Sequence, residues 1–86
     1  MNNLKQIAKD IEDGKYNNLV IMDNPNNETD YIQLNENRGY DWDIYYTITE
    51  DNVNVIEMNY DCACQKQSDE NVPTLEDALN MASQWC

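Results

Sequence analysis

The chain has 86 residues, with 17 Asp and Glu against 5 Lys and Arg, a formal net charge of −12, a pI near 4.1, and neither His nor Phe. That length suits one small domain spanning residues 1–86. The absence of histidine removes the commonest general base and the commonest metal ligand together, and the charge repels phosphates. Catalysis, direct nucleic-acid binding and an anionic membrane surface are therefore disfavoured, and a basic protein surface is the natural counterpart.

Leu, Ile, Val and Phe make up only about 19% of the chain, close to the range of disordered sequences, but six Tyr and two Trp and a clear periodicity point to a folded domain. Fourteen asparagines supply turn positions and fit an AT-rich bacterial or phage genome. No run of 18 apolar residues is present and the N-terminus carries no apolar signal core, so a cytoplasmic protein is expected. Cys62, Cys64 and Cys86 cannot all pair within one chain and are read as reduced thiols, with a Cys62–Cys64 or Cys64–Cys86 disulfide as the alternative.

Leu4, Ile7, Ala8 and Ile11 fall at i, i+3, i+4 and i+7, which predicts a helix over about 3–13, started by Asn2 or Asn3 and stopped by Gly14. Strands are expected at about 18–23, 30–36, 40–49 and 54–63. In the third, Trp42, Ile44, Tyr46 and Ile48 alternate with Asp41, Asp43, Tyr45, Thr47 and Thr49, a period of two. A three-residue turn at Asn37-Arg38-Gly39 would set Leu34 opposite Trp42 and Ile32 opposite Ile44. Pairing Ile48 with Ile56, Tyr46 with Met58, Ile44 with Tyr60 and Trp42 with Cys62 makes every inward pair of the last hairpin apolar. A two-residue turn at Asp51-Asn52 is rejected on this reading because it places Glu57 inside. Pro73-Thr74 followed by Asp77 starts a second helix, whose apolar stripe runs through Leu75, Ala78, Leu79 and Ala82 to the C-terminus, with Met81 and Trp85 on its flank. The expected fold is α+β, in the order α-β-β-β-β-α: a four-stranded antiparallel meander with both helices on one face.

Charge is concentrated: residues 23–61 hold ten acids and only Arg38. The expected register sets Tyr31 beside Tyr45, Gln33 beside Asp43, Thr47 opposite Glu57 and Asp43 opposite Asp61 on the exposed face. Carboxylates two residues apart on a strand stand about 6.6 Å apart, the scale of successive phosphates. The face centred on Asp41, Asp43, Glu57 and Asp61 with Tyr31 and Tyr45, joined by Asp23 and Glu36, is the candidate partner-binding surface, with Glu28, Asp30, Glu50 and Asp51 at its rim. The other reading is an acidic, solvated face that keeps a small protein soluble. Asp41, Asp43 and Asp61 match no cation-binding loop, and the three cysteines lack a fourth soft ligand, so no metal and no cofactor is expected.

In size, charge and helix–sheet–helix order the chain resembles the small acidic phage-encoded inhibitors that imitate DNA, and it is similar to anti-CRISPR proteins that block the DNA-binding or PAM-reading groove of Cas nucleases. The resemblance implies a non-enzymatic inhibitor of a basic nucleic-acid-binding protein, either a Cas protein or a DNA-repair or defence enzyme. It would act in the cytoplasm of a bacterial host and be encoded by a phage or mobile element. A local resemblance runs through `NLKQIAKDIEDGKYNNLVIMDN`, similar to the opening of uracil-DNA glycosylase inhibitors, and would put Asp23 at that family's acidic position after Leu19-Val20-Ile21. The remaining alternative is a small acidic dimeric interaction module without catalytic function, paired through Trp85 and Met81, whereas the inhibitor is expected to be a monomer or weak homodimer.

Overall fold

A computed structural model describes residues 2–23, 30–61 and 65–85. The elements run α1 (Leu4–Glu12), β1 (Leu19–Asp23), β2 (Tyr31–Gly39), β3 (Trp42–Thr49), β4 (Val53–Asn59), β5 (Lys66–Val72) and α2 (Leu75–Ala82). The strands form one antiparallel sheet in sequential order, β1 to β5, and both helices pack on the same face. The α+β class and the meander are as expected, but there are five strands rather than four.

Local chemistry explains the helix ends. The Asn3 side chain accepts from the Gln6 N–H and caps α1, and Thr74 does the same for Asp77 in α2. At the other end of α1, Gly14 takes φ +82°, its N–H donates to the Ile11 carbonyl, and the Lys15 N–H donates to the Asp10 carbonyl. This paired bonding closes the helix where only glycine sits without strain. Asn2 is buried and acts as a staple rather than a cap. Its backbone N–H reaches the Glu50 carbonyl at 2.7 Å, and its side-chain amide donates to the carbonyls of Thr49 and Pro73 at 3.0 and 2.9 Å. The second helix stops at Ala82, short of the expected run to the C-terminus.

The core lies between helices and sheet: Ile11, Leu19, Ile32, Leu34, Ile44, Tyr46, Ile48, Val53, Val55, Leu75, Ala78 and Ala82 are buried. Both hairpin registers differ from expectation. In the first, β2 continues to Gly39, Arg38 bulges, and the turn falls at Tyr40-Asp41, with Asp41 holding the left-handed conformation at φ 54° that aspartate tolerates. Leu34 therefore faces Tyr46 and Ile32 faces Ile48. The slip is an even number of residues, so each side chain keeps its expected face.

The second correction reverses a strand. Thr49 accommodates Asn52 through N–H and hydroxyl bonds to the same carbonyl, which leaves Glu50 and Asp51 as the turn. Ile48 then pairs with Val53, Tyr46 with Val55, Ile44 with Glu57 and Trp42 with Asn59. This slip is odd, so β4 turns over. Val53, Val55, Glu57 and Asn59 point into the core, and Ile56 and Met58 point out. The expected pairing of Trp42 with Cys62 gives way to Asn59 with the rest of the register, and the state of Cys62, Cys64 and Cys86 lies outside the described residues.

Candidate protein-binding surface

The outer sheet face alternates with the core face along each strand. It carries Tyr31, Gln33, Asn35 and Asn37 from β2, Asp43, Tyr45 and Thr47 from β3, Asn54, Ile56 and Met58 from β4, and Asp69 and Asn71 from β5. Two carboxylates are held here by asparagine amides. Asp43 Oδ1 accepts from Asn35 at 3.3 Å and from Asn37 at 3.1 Å, and Asp69 Oδ1 accepts from Asn54 at 2.7 Å. A neutral amide orients a carboxylate without cancelling its charge, so the negative field of the face stays open to a partner.

The five basic residues are placed elsewhere. Lys5 and Lys9 stand on α1, and Lys15 pairs with Asp10 at 3.6 Å. Arg38 lies at 3.3 Å from Glu36 and donates to the Ala82 carbonyl at 2.6 Å. Lys66 faces Glu57 at 3.9 Å, on the core side. All five are among the described residues, and none stands on the outer face.

The expected site residues divide. Tyr31, Asp43 and Tyr45 are on the outer face, although Tyr31 pairs with Thr49 rather than lying beside Tyr45, and Asp43 faces Met58 rather than Asp61. Asp41 and Asp61 sit at the same end of the sheet: the Tyr60 N–H donates to the Asp41 carbonyl at 2.8 Å, and the Asp61 N–H donates to Asn59 Oδ1 at 3.0 Å. Tyr40 and Tyr60, 85% and 55% exposed, stand among these aspartates. Asp23 ends β1 opposite Gln33. Of the rim, Asp30, Glu50 and Asp51 line a recess with Leu4 and Thr49 at the opposite end of the sheet, and Glu28 lies outside the described residues.

Glu36 and Glu57 do not belong to this surface. Glu57 is 0% exposed; its Oε2 accepts from the Trp42 indole N–H at 2.8 Å, while Oε1 has no hydrogen bond and looks toward the Lys66 ammonium. Lys66 in turn lies over the Trp85 ring and Arg38 over the Trp42 ring, each at 5.6 Å. Glu36 accepts from the buried Tyr46 hydroxyl at 2.8 Å. Burial, then the hydrogen bond to Glu36 and its negative charge, push the Tyr46 phenol well above the usual tyrosine range. Two of the five cations, Arg38 and Lys66, are thus used on the core side of the sheet, tying α2 and β5 to the core, and the other three stand on or just after α1.

The sequence reading missed Ile56, Met58, Met22 and Asp69 as surface residues. The first two were assigned inward by the wrong parity, and Asp69 belongs to a strand with no alternating apolar signal. No protein-family model, no characterised protein and no solved structure matches the chain. Among the described residues, no helix is long and apolar enough to cross a membrane.

Proposed function

We propose that this chain is a non-enzymatic inhibitor whose acidic outer face and adjoining Asp41–Asp61 end imitate a nucleic-acid backbone and dock in the basic groove of a nucleic-acid-binding protein. A Cas nuclease or complex is the target class that the acidic anti-CRISPR resemblance favours, which would place the protein in the cytoplasm of a phage-infected bacterium. The observation that carries the proposal is the segregation of charge: Asp43 and Asp69 are oriented by neutral amides on a face bearing none of the five cations. A surface that served solubility alone would gain from interspersed cations. The exposed Tyr40 and Tyr60 add the broad amphipathic contact that interfaces favour. Association should be fast and should weaken with salt.

The test is competition. The immobilised chain is exposed to host lysate at low salt, and the bound fraction is challenged with duplex DNA. Release of a nucleic-acid-binding protein by the duplex is the expected result; retention of every bound protein at saturating duplex would defeat the proposal.

A uracil-DNA glycosylase inhibitor is the second reading. It is favoured by one local feature, the helix–turn–strand from Leu4 to Asp23 that the resemblance requires. Inhibition of uracil excision by the purified chain distinguishes it.

A further inference from the structure

The outer face has an apolar centre. The pairing of β1 with β2 shifts between Ile21 and Asp23, and the bulge leaves Met22 exposed beside the sheet face. Met22, Gln33, Tyr45, Thr47, Ile56 and Met58 line a depression of about 290 Å³. The hydrogen bond from Gln33 Nε2 to Thr47 Oγ1, at 3.3 Å, joins β2 and β3 within its lining. The cross-strand register places a carboxylate beside each apolar wall residue on β4: Asp43 is opposite Met58, and Asp69 is opposite Ile56.

We infer that this depression receives one aliphatic or aromatic side chain from a basic segment of the partner, with Lys or Arg on either side reaching Asp43 and Asp69. The inference rests on the acidic-face proposal and narrows its partner from a basic groove to a basic segment with an apolar residue at its centre. Charge complementarity selects this occupant. The face holds two fixed carboxylates and no cation, so a second copy of the chain, itself at −12, would bring like charge against like. The flexible thioethers of Met22 and Met58 suit a pocket that adapts its shape to an inserted side chain.

The experiment follows ¹³C-labelled methionine methyls of the intact chain by NMR during titration with two acetylated, amidated peptides. One is Lys-Arg-Lys-Leu-Lys-Arg-Lys, and the other has Ser in place of Leu. The Leu peptide should bind about tenfold tighter, shift Met22 and Met58, and leave Met81 on α2 unmoved. Ile56→Ser should bring the Leu peptide down to the affinity of the Ser peptide. Equal, salt-sensitive binding of both peptides would overturn this inference and leave the acidic-face proposal standing. Failure of both peptides to bind at millimolar concentration would overturn both. Shifts of Met22 and Met58 on concentrating the chain alone would make a second copy the occupant and overturn the inference as well.

Discussion

Removing the Glu57 carboxylate should destabilise the protein by an amount that an exposed glutamate cannot. Glu57 is fully buried, and the indole N–H of Trp42 donates to it at 2.8 Å. In Glu57→Ala the indole loses a charged acceptor, worth about 1.5–3 kcal/mol. The truncated side chain leaves a void beneath β4, adding about 1 kcal/mol. The Lys66 contact contributes about 0.5 kcal/mol or less, because the lysine side chain is 40% exposed and 3.9 Å away. The sum is about 3 kcal/mol, a large share of the roughly 4–13 kcal/mol available to a domain this size. With a urea slope of about 1 kcal/mol/M, the unfolding midpoint should fall by about 3 M. Glu57→Gln keeps an oxygen for the indole and should cost about 1 kcal/mol. Glu70→Ala, an exposed residue of the neighbouring edge strand, should stay within about 0.5 kcal/mol of the parent. Urea unfolding at neutral pH, followed by tryptophan fluorescence, measures all three. If Glu57→Ala also stays within about 0.5 kcal/mol, Glu57 is exposed and the register of β3 with β4 is wrong.

Tyr46 makes stability sensitive to alkali. Its phenol ionises less readily folded than unfolded, so its contribution is complete below the ordinary tyrosine value of about 10 and is lost as pH rises above it. Tyr46→Phe should cost about 1 kcal/mol at neutral pH and should flatten the fall in melting temperature between about pH 9 and 11. Asn2→Ala removes two side-chain bonds that pin the start of the chain to Thr49 and Pro73, and should cost about 1–2 kcal/mol in urea unfolding. At Gly14 an added Cβ meets no atom within 4 Å, so Gly14→Ala should cost only the left-handed backbone penalty of about 1 kcal/mol, with the loss read as a lower melting temperature.

Much of the fold was legible because local signals and periodicity agree. Asn3, Gly14 and Thr74 mark helix ends by side-chain and backbone chemistry that acts over a few residues. The alternation in β3 fixed the faces of β2 and β3 even though their register slipped by four residues. The reversal of β4 was not legible, because the rule that inward pairs be apolar gives way when a buried carboxylate has partners. Those partners, Trp42 and Lys66, lie 15 residues before and 9 after Glu57, and no local spacing announces them. The edge strand β5, `KQSDENV`, escaped for a related reason. It is exposed along most of its length and is held by its ladder to β4 and by Asn54 bonds to Asp69 and Asn71, so it needs no apolar stripe. Asp43, Tyr45 and Tyr31 were placed on the outer face because their strands were read with the right parity; Glu57 was lost from the surface, and Ile56 and Met58 gained, through the error in β4.

The central claim is that the outer sheet face, rather than net charge, recognises the partner. Two double variants with the same change in net charge separate these directly: Asp43→Lys/Asp69→Lys on the outer face, and Glu12→Lys/Asp13→Lys at the end of α1. Each is immobilised, and the DNA-releasable protein that it captures from host lysate is quantified at one low salt concentration. The outer-face variant should lose at least about tenfold of the captured partner, while the α1 variant retains it; equal retention or equal loss in the two variants would contradict the claim.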